Sequence, residues 1–295
     1  MTYNGLWRQL AQIYDEGEAK AIARMVYEVR YDLTLSDIYL GKDAQLSADS
    51  QTELKEIAKR LLQGEPIQYV LGQADFCGRK FMVNEHVLIP RPETEELCQW
   101  ILAADLHELT QAVRCRPLSS AAEILDIGTG SGCIAITLAA EMPQAEVTAW
   151  DISAEALKVA AENARRHNVS VSFEQVDVLN VQCSMFNVQW DIIVSNPPYI
   201  CHKEREAMET NVLEHEPHTA LFVTDDDPLL FYRAIAQFGQ LALKDDGWLY
   251  FEINPIYAKA LCDMLSKMSY RYIEIKEDQY GKQRMIRAQR CASEQ

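Results

Sequence analysis

Residues 124–136 read ILDIGTGSGCIAI, and this stretch decides the fold class. A short apolar run leads directly into glycines at alternate positions, and an apolar helical pattern begins immediately after them. Glycines at this spacing allow a tight turn and a close approach of the backbone to a ligand before a helix starts. The stretch therefore predicts a strand, a ligand-binding turn and a helix.

Strand and helix patterns alternate through the rest of the C-terminal half. The strand patterns are EILDIG, AEVTAWD, VSFEQVD, WDIIVS and GWLYFEI, and amphipathic helical patterns lie between them. Such alternation predicts right-handed crossovers and a mostly parallel, Rossmann-like α/β sheet with helices on both faces. Because ligands collect at the carboxyl ends of parallel strands, we expect the chemistry just after Ile127, Trp150, Val176 and Ser195.

The N-terminal part has a different hydrophobic pattern. Residues 1–71 alternate apolar and charged positions at helical spacing, which predicts a separate helical domain. Asp15 and either Ser47 or Asp49 are candidate N-caps, and Gly64 is a candidate helix stop.

Residues 72–107 predict a connector between the helical domain and a catalytic domain over 108–295. ADFCGRKFMV has the period of a hairpin that turns near Cys77-Gly78-Arg79, and a helix is expected from about Thr94 to Leu106. The polar stretch 107–121 predicts a surface loop.

Composition narrows the function classes. The chain has 295 residues, 48% of them hydrophobic, which is enough for two domains with cores.

It shows no basic leader and no apolar run of about 18 residues, so we expect a cytoplasmic monomer that contacts no membrane. The eight cysteines form no CxxC pair, so reduced thiols and no bound metal are expected. The formal net charge of −16 disfavours direct contact with nucleic acid.

The glycine-rich turn indicates the kind of ligand. The spacing D-x-G-x-G-x-G is associated with S-adenosylmethionine sites, whereas a dinucleotide fingerprint would have a third small residue where Cys133 stands. A tight turn without a ligand is the alternative interpretation. The candidate cofactor residues of this turn are Asp126, Gly128, Thr129, Gly130, Ser131 and Gly132.

Two later aspartates could complete the cofactor site. Asp151 follows the second strand roughly 20 residues after the glycines, where a carboxylate can accept hydrogen bonds from both hydroxyls of a ribose. A helix N-cap, shared with Ser153, is the alternative role. Asp177 ends the predicted third strand and is a candidate contact to the adenine of the same ligand.

The residues after the fourth strand, IIVSNPPYI at 192–200, point to the reaction. Pro197 and Pro198 end the strand and fix the direction of the chain, because proline cannot continue a ladder. The Asn196 side-chain oxygen and the Pro197 main-chain oxygen are then two acceptors for a planar NH₂ group. Tyr199 offers a flat surface on which that group can stack.

An amide or an aromatic amine is a poor nucleophile because its lone pair is delocalised. Two fixed acceptors aim the lone pair at a methyl donor and stabilise the positive charge that develops on nitrogen. No strong general base is required, because the methylated nitrogen is acidic enough to lose its proton to water. The combination predicts an amino-group methyltransferase, and a rigid proline turn without chemistry is the alternative.

The sequence resembles a known family, the bacterial glutamine methyltransferases of peptide chain release factors, also called the HemK family. The resemblance runs over nearly the whole chain. Its segments are GEPIQYVLG at 64–72, LIPRPETEEL at 88–97, ILDIGTGSGCIAI at 124–136, the Asp151 strand end, IIVSNPPYI at 192–200, HEPHTAL at 215–221 and KEDQYGKQRMIRA near the C-terminus. NPPY is shared with DNA adenine and ribosomal-protein glutamine methyltransferases, and the IPRPETE segment favours glutamine.

The resemblance implies a class I methyltransferase domain, S-adenosylmethionine as cofactor, and an N-terminal helical domain that helps to dock the release factor. It implies methylation of the glutamine in that factor's Gly-Gly-Gln loop. It assigns the cofactor to residues 128–132, Asp151 and Asn196, and the glutamine to residues 196–199. Val178 stands where relatives can have an aromatic residue beside adenine, and Ile253-Asn254 follows Glu252 where His-Gly or a similar pair is expected.

Three functions remain open at this point. The first is a release-factor glutamine methyltransferase, with the ribosomal-protein enzyme as a close relative. A DNA adenine methyltransferase would need a basic groove and a target-recognition insert, which the net charge of −16 disfavours. A nucleotide-binding module or dehydrogenase would need GxGxxG, and Cys133 and NPPY speak against it.

Acidic residues follow the NPPY corner. The carboxylates lie at positions 204, 206, 209, 214 and 216. They predict a solvated face beside the cleft, which could meet basic residues of a protein partner.

Overall fold

The computed structural model describes residues 1–105, 121–181 and 189–291. The chain divides into two compact units. The first consists of Met1–Gln73, Val83–Glu85 and Met208–His215, and the second of Ala74–Met82, His86–Ala207 and Glu216–Gln295. The division into 1–71, 72–107 and 108–295 stays a prediction.

The described helices and strands are numbered here in chain order. The α-helices are α1 (Tyr3–Leu10), α2 (Glu16–Tyr31), α3 (Leu35–Tyr39), α4 (Ala48–Leu62), α5 (Ile67–Leu71), α6 (Pro92–Asp105), α7 (Cys133–Glu141), α8 (Ala154–His167), α9 (Thr210–His215), α10 (His218–Leu221), α11 (Leu230–Ala242) and α12 (Ala258–Lys267). The strands are β1 (Gln73–Phe76), β2 (Arg79–Met82), β3 (Glu123–Ile127), β4 (Glu146–Asp151), β5 (Ser172–Gln175), β6 (Trp190–Ser195), β7 (Ile200–Cys201), β8 (Phe222–Val223), β9 (Leu243–Glu252), β10 (Tyr270–Glu277) and β11 (Gln283–Arg290).

The first unit is helical, as the periodicity of its sequence predicts. Asp15 accepts a hydrogen bond from the Glu18 backbone N–H and caps α2. Ser47, rather than Asp49, caps α4. Apolar faces of α1, α2 and α4 meet in one core, whose fully buried members include Leu6, Leu10, Val26, Tyr27, Leu54 and Leu61.

The predicted hairpin is the two-stranded sheet β1-β2. Cys77 and Gly78 connect its strands with φ of 47° and 71°, and positive φ at both positions is typical of a type I′ turn. The next helix begins at Pro92 rather than near Thr94. Proline suits the first helical position because its φ is already close to helical, and the N–H that proline lacks would have no intrahelical partner there. The predicted loop 107–121 lies outside the described residues except for Ala121.

The second unit contains a seven-stranded sheet of order β10-β11-β9-β6-β3-β4-β5. The pairs from β9 to β5 are all parallel, and β11 pairs antiparallel with both β9 and β10. This confirms the predicted mostly parallel α/β sheet. The antiparallel pair β10-β11 forms a hairpin that contains the segment KEDQYGKQRMIRA.

Apolar side chains cover both faces of the sheet. Ile124 and Ile192 pack in one core with residues of α6 and α7, whereas Leu125 and Ile193 pack in another with residues of α11 and α12. Successive strand residues point to opposite faces, so each buried strand supplies both cores. Helices therefore lie on both faces, as expected, and the carboxyl ends of β3, β4 and β6 share one edge.

One strand boundary was predicted wrongly. β5 ends at Gln175, two residues before Asp177. Asp177 accepts a hydrogen bond from the Leu179 backbone N–H at 3.0 Å, which is the local turn that aspartate favours after a strand. Asp177 therefore belongs to a turn and not to the strand.

Candidate active site

A cavity of about 380 Å³ lies at the carboxyl ends of β3, β4 and β6. It brings together most of the residues that the sequence singled out. Those on its wall are Gly128, Thr129, Gly130, Ser131, Asp151, Asp177, Val178, Asn196, Pro197 and Pro198. Of the predicted residues, all of which are described, Asp126, Gly132 and Tyr199 do not line it.

The glycine loop turns back on the neighbouring strand. The Gly128 and Thr129 N–H groups both donate to the Trp150 carbonyl, at 2.8 and 2.9 Å. Gly128 and Gly130 have φ of +75° and +54°, and a Cβ on either would meet no atom within 4 Å. Open space beside a left-handed backbone lets a ligand approach the loop closely. These two glycines thus suit the cradle that a bound cofactor needs.

Gly132 has a different structural role. A Cβ at this position would lie 2.8 Å from Ile136 Cδ1 and 3.1 Å from Ala160 Cβ. Its lack of a side chain permits α7 to pack closely against α8. The third glycine of the motif therefore serves helix packing, and the first two face the cavity.

Asp151 connects the second strand to the glycine loop. Its Oδ2 accepts from the Gly130 N–H and its Oδ1 from the Ser153 N–H, each at 2.9 Å. Ser153, and not Asp151, is the N-cap of α8. Burial raises the pKa of Asp151, against the opposing effect of these hydrogen bonds. A carboxylate has about four acceptor sites on its two oxygens, so Asp151 can accept a further hydrogen bond from a ribose hydroxyl.

The other side of the cavity is aliphatic near Asp177. Val178 lines it together with Ile152 and Leu179, two apolar residues that are 58% and 41% exposed. The sequence interpretation missed Ile152 and Leu179. The available signal was their position, because Ile152 directly follows Asp151 and Leu179 lies two residues after Asp177. A flat heterocycle could lie against these aliphatic side chains without an aromatic partner.

Asp126 lies beneath the loop, fully buried. Its Oδ2 accepts from the Thr129 hydroxyl at 2.6 Å and from the Ala135 N–H at 3.2 Å. Its Oδ1 is buried without a hydrogen-bond partner among the described residues. Burial raises the pKa of Asp126 to about 7.

We expect Asp126→Asn to change how stability depends on pH. The pKa of Asp126 in the folded protein lies above its ordinary value, so the folded state binds the proton more tightly than the unfolded state does. The stabilisation of the folded state by this proton is present at low pH and is lost as pH rises toward 7. The free energy of unfolding of the variant, relative to wild type, should increase by on the order of 2 kcal/mol between about pH 5 and about pH 8. Urea unfolding of both proteins measures this difference, and a constant difference across the range would contradict the prediction.

The Asn196 amide is hydrogen-bonded to Thr94 on α6, and Thr94 is in turn hydrogen-bonded to Glu252 on β9. Asn196 Nδ2 donates to Thr94 Oγ1 at 3.2 Å, and the Thr94 hydroxyl donates to Glu252 Oε2 at 2.6 Å. The Tyr199 hydroxyl donates to the other oxygen, Glu252 Oε1, at 3.0 Å. Thr94 and Glu252 are 2% and 1% exposed. Burial raises the pKa of Glu252, and the two hydrogen bonds partly oppose it.

This network was not predicted, although the sequence contained hints of it. Thr94 lies in the IPRPETE segment, which was recognised only as a motif. Glu252 precedes Ile253-Asn254, and this local pattern does not indicate a contact with Thr94. β9 ends at Glu252, and Asn254 of the Ile253-Asn254 pair, which stands in place of the expected His-Gly or similar pair, caps a short 3₁₀ helix just beyond.

The predicted solvated acidic face is wrong for one residue. Glu216 is 4% exposed, and its Oε1 accepts from the Arg91 guanidinium at 2.5 Å while its Oε2 accepts from the Ile89 N–H at 3.3 Å. A paired, hydrogen-bonded carboxylate can be buried where an unpaired one could not. Glu204 is half-buried and accepts from Asn254 Nδ2 at 3.1 Å, whereas the carboxylates at 206, 209 and 214 are exposed.

The described part of the chain contains no group of three or more His, Cys, Asp or Glu side chains that could hold a metal ion. Within the same residues, no helix is long and apolar enough to cross a membrane. The cysteines at 77, 98, 133, 201, 262 and 291 are free thiols.

Comparisons with known proteins agree with this site. Two family models match the chain, the PrmC N-terminal domain over residues 6–72 and the methyltransferase small domain over residues 109–221. The methyltransferase domain of METTL16 has a TM-score of 0.51 at 18% identity, covering 72% of this chain and 89% of that one. The sheet and these matches define a class I S-adenosylmethionine-dependent methyltransferase fold.

Two relatives identify the family. The release factor glutamine methyltransferase of Bacteroides thetaiotaomicron is 44% identical over 283 residues, covering 96% of this chain and 97% of its own length. That of Flavobacterium psychrophilum is 42% identical over 278 residues, covering 94% of each chain. The chain belongs to the release factor glutamine methyltransferase family.

Proposed function

We propose that this protein transfers a methyl group from S-adenosylmethionine to the side-chain amide nitrogen of the glutamine in the Gly-Gly-Gln motif of peptide chain release factors. The observation that carries the proposal is the position of Asn196, which lines the same cavity as Gly128, Gly130 and Asp151. An acceptor for an amide and a cradle for a cofactor thus meet in one space. A release factor as substrate implies a role in translation termination in the cytoplasm.

The cofactor would lie along the glycine loop. The backbone of residues 128–131 would hold its amino-acid part, Asp151 its ribose hydroxyls, and the aliphatic side chains of Ile152, Val178 and Leu179 its adenine. Asp177 would accept from the adenine edge. When bound, S-adenosylmethionine supplies an electrophilic methyl group and leaves as a neutral thioether.

The residues of the NPPY corner would hold the glutamine. Asn196 Oδ1 and the Pro197 carbonyl would accept its two N–H bonds, which orients the nitrogen lone pair and stabilises positive charge on that nitrogen. Pro198 would fix the direction of the corner. Tyr199 would support the corner through its bond to Glu252 rather than stack on the glutamine, because it does not line the cavity. The released proton would pass to water.

The domain organisation enters the proposal in the same way. The helical region 1–71 would help to dock the release factor, residues 72–107 would connect it to the catalytic region 108–295, and the enzyme would act as a monomer. The net charge of −16 opposes a DNA substrate, and the relatives are named for release factors rather than for a ribosomal protein.

The test is direct. Purified protein is incubated with S-adenosylmethionine and an unmodified release factor, and the factor is then digested and analysed by mass spectrometry. We expect the Gly-Gly-Gln peptide to gain the mass of one methyl group in place of hydrogen, with the fragment ions locating it on the glutamine. No gain on this peptide, with a gain on a ribosomal protein assayed in parallel, would contradict the proposed substrate.

A further inference from the structure

We propose that Thr94 and Glu252 are positioning residues that determine which end of the Asn196 amide faces the substrate. The inference rests on the proposed function, because it concerns how that function's glutamine is recognised. Neither residue needs to touch the reacting atoms. Both act through Asn196.

The direction of the hydrogen bonds follows from chemistry. The hydroxyls of Thr94 and Tyr199 lie within hydrogen-bond distance of the two Glu252 oxygens. In its ionised form Glu252 only accepts, so Thr94 gives its single hydroxyl proton to Oε2, which lies 2.6 Å away. Thr94 Oγ1 can then only accept from Asn196, at 3.2 Å. Asn196 must therefore turn Nδ2 toward Thr94, and its Oδ1 remains for a ligand.

This choice matters because the two ends of an asparagine amide have nearly the same shape. With Oδ1 toward the ligand, Asn196 accepts an N–H of the glutamine NH₂ group. With Nδ2 toward the ligand, two donors would face each other, and the lone pair of the substrate would be left without its orienting contact. A side chain that merely fills the position would therefore not suffice.

Hydrogen-bond donors hold the carboxyl group of Glu252 in place, against the burial that raises its pKa. It is 1% exposed and receives hydroxyl donors from Thr94 on α6 and Tyr199 on the NPPY corner. Arg284 on β11 lies close enough to favour its negative charge, whereas Glu93 disfavours it. The two hydroxyl donors, one on each oxygen, hold the carboxyl group in place.

Two variants of Thr94 isolate the contribution of its hydroxyl group to the reaction rate. Thr94→Val has nearly the same shape but gives Nδ2 no acceptor, whereas Thr94→Ser keeps the hydroxyl. We expect kcat of Thr94→Val to fall on the order of 10- to 100-fold, and Thr94→Ser to restore most of that loss. Glu252→Gln, which replaces one acceptor by a donor, should also lower kcat.

The matched control is Thr137→Val. Thr137 is 1% exposed on α7, does not line the cavity, and its hydroxyl has no hydrogen-bond partner among the described residues. This substitution also removes a buried hydroxyl from a helix, so it reports the effect of that change alone. We expect it to leave kcat unchanged.

A binding measurement adds a readout that a purely structural role would not move. The Kd of each enzyme is measured for the release factor and for the same factor with the target glutamine replaced by alanine. Wild type and Thr94→Ser should prefer the glutamine form, and Thr94→Val should lose most of that preference while its Tm stays close to that of Thr137→Val.

The outcomes separate the two proposals. An active wild type whose Thr94→Val variant keeps both the kcat and the glutamine preference of Thr94→Ser would overturn the positioning role alone. A wild type that binds the two release factors equally and does not methylate the glutamine would overturn the proposed function and this inference with it. If Thr94→Val folds poorly, the same two measurements, kcat and the preference for the glutamine form, are made on Glu252→Gln. Wild-type values of both in that variant would overturn the positioning role.

Discussion

Asn196→Ala is expected to lower the rate of methyl transfer to the release factor by about 100- to 1,000-fold. The Asn196 side chain would supply one of the two acceptors that orient the glutamine nitrogen and stabilise its developing charge. Its removal leaves the cofactor cradle of the glycine loop and Asp151 intact. The loss should therefore appear in kcat, measured by incorporation of labelled methyl groups under saturating S-adenosylmethionine.

The control for this variant is another amide that makes one hydrogen bond outside the cavity. Gln289 Nε2 donates to the Asp246 carbonyl at 2.9 Å, on β11, and does not line the cavity. Gln289→Ala should keep the wild-type kcat. Retention of full activity by Asn196→Ala, with both variants folded as judged by Tm, would remove Asn196 from the proposed mechanism.

Gly132→Ala is expected to lower the free energy of unfolding by about 2–5 kcal/mol. Gly132 has φ of +81°, which disfavours a side chain, and a Cβ would approach the Ala160 backbone Cα to 3.3 Å and Ile136 Cδ1 to 2.8 Å. The isoleucine side chain can rotate away, but the helix backbone at Ala160 cannot move without separating α7 from α8. Urea unfolding without ligand measures the effect.

Gly130→Ala is the matched control for this prediction. Gly130 also has a positive φ, of +54°, but a Cβ there would meet no atom within 4 Å. Alanine at this position would then be destabilising only because a residue with a side chain disfavours a positive φ. The free energy of unfolding should fall by about 1 kcal/mol. Equal losses for the two variants would show that contact between the helices is not the reason for glycine at position 132.

The sequence predicted the order of strands and helices well because their signals are local. Residues 124–127 and 192–195 are mostly apolar and are followed by turn residues, and both form buried strands. Two boundaries were predicted wrongly, because local turn and first-turn preferences place them a few residues away from the predicted positions. Asp177 lies in a turn beyond β5, and α6 begins earlier than Thr94 because Pro92 suits a first helical turn.

The roles of individual side chains were predicted less completely. The three glycines of one motif looked equivalent in sequence, yet Gly128 and Gly130 face the cavity and Gly132 faces another helix. Glu216 was expected in solvent because charged residues usually are, but Arg91 makes its burial possible. Each of these outcomes depends on a neighbour distant in sequence.

The sequence by itself determined the alternation of strands and helices, the glycine turn after β3 and the asparagine-proline corner after β6. These features depend on backbone preferences and periodicity within a few residues. Only the tertiary structure decided how the Asn196 amide is oriented. Its orientation requires Thr94 and Glu252, which are 158 positions apart in the chain and meet only when α6 packs beside the carboxyl end of β9. Hydrogen-bond direction is set by the partner that a folded chain brings within reach, and no local pattern contains that information.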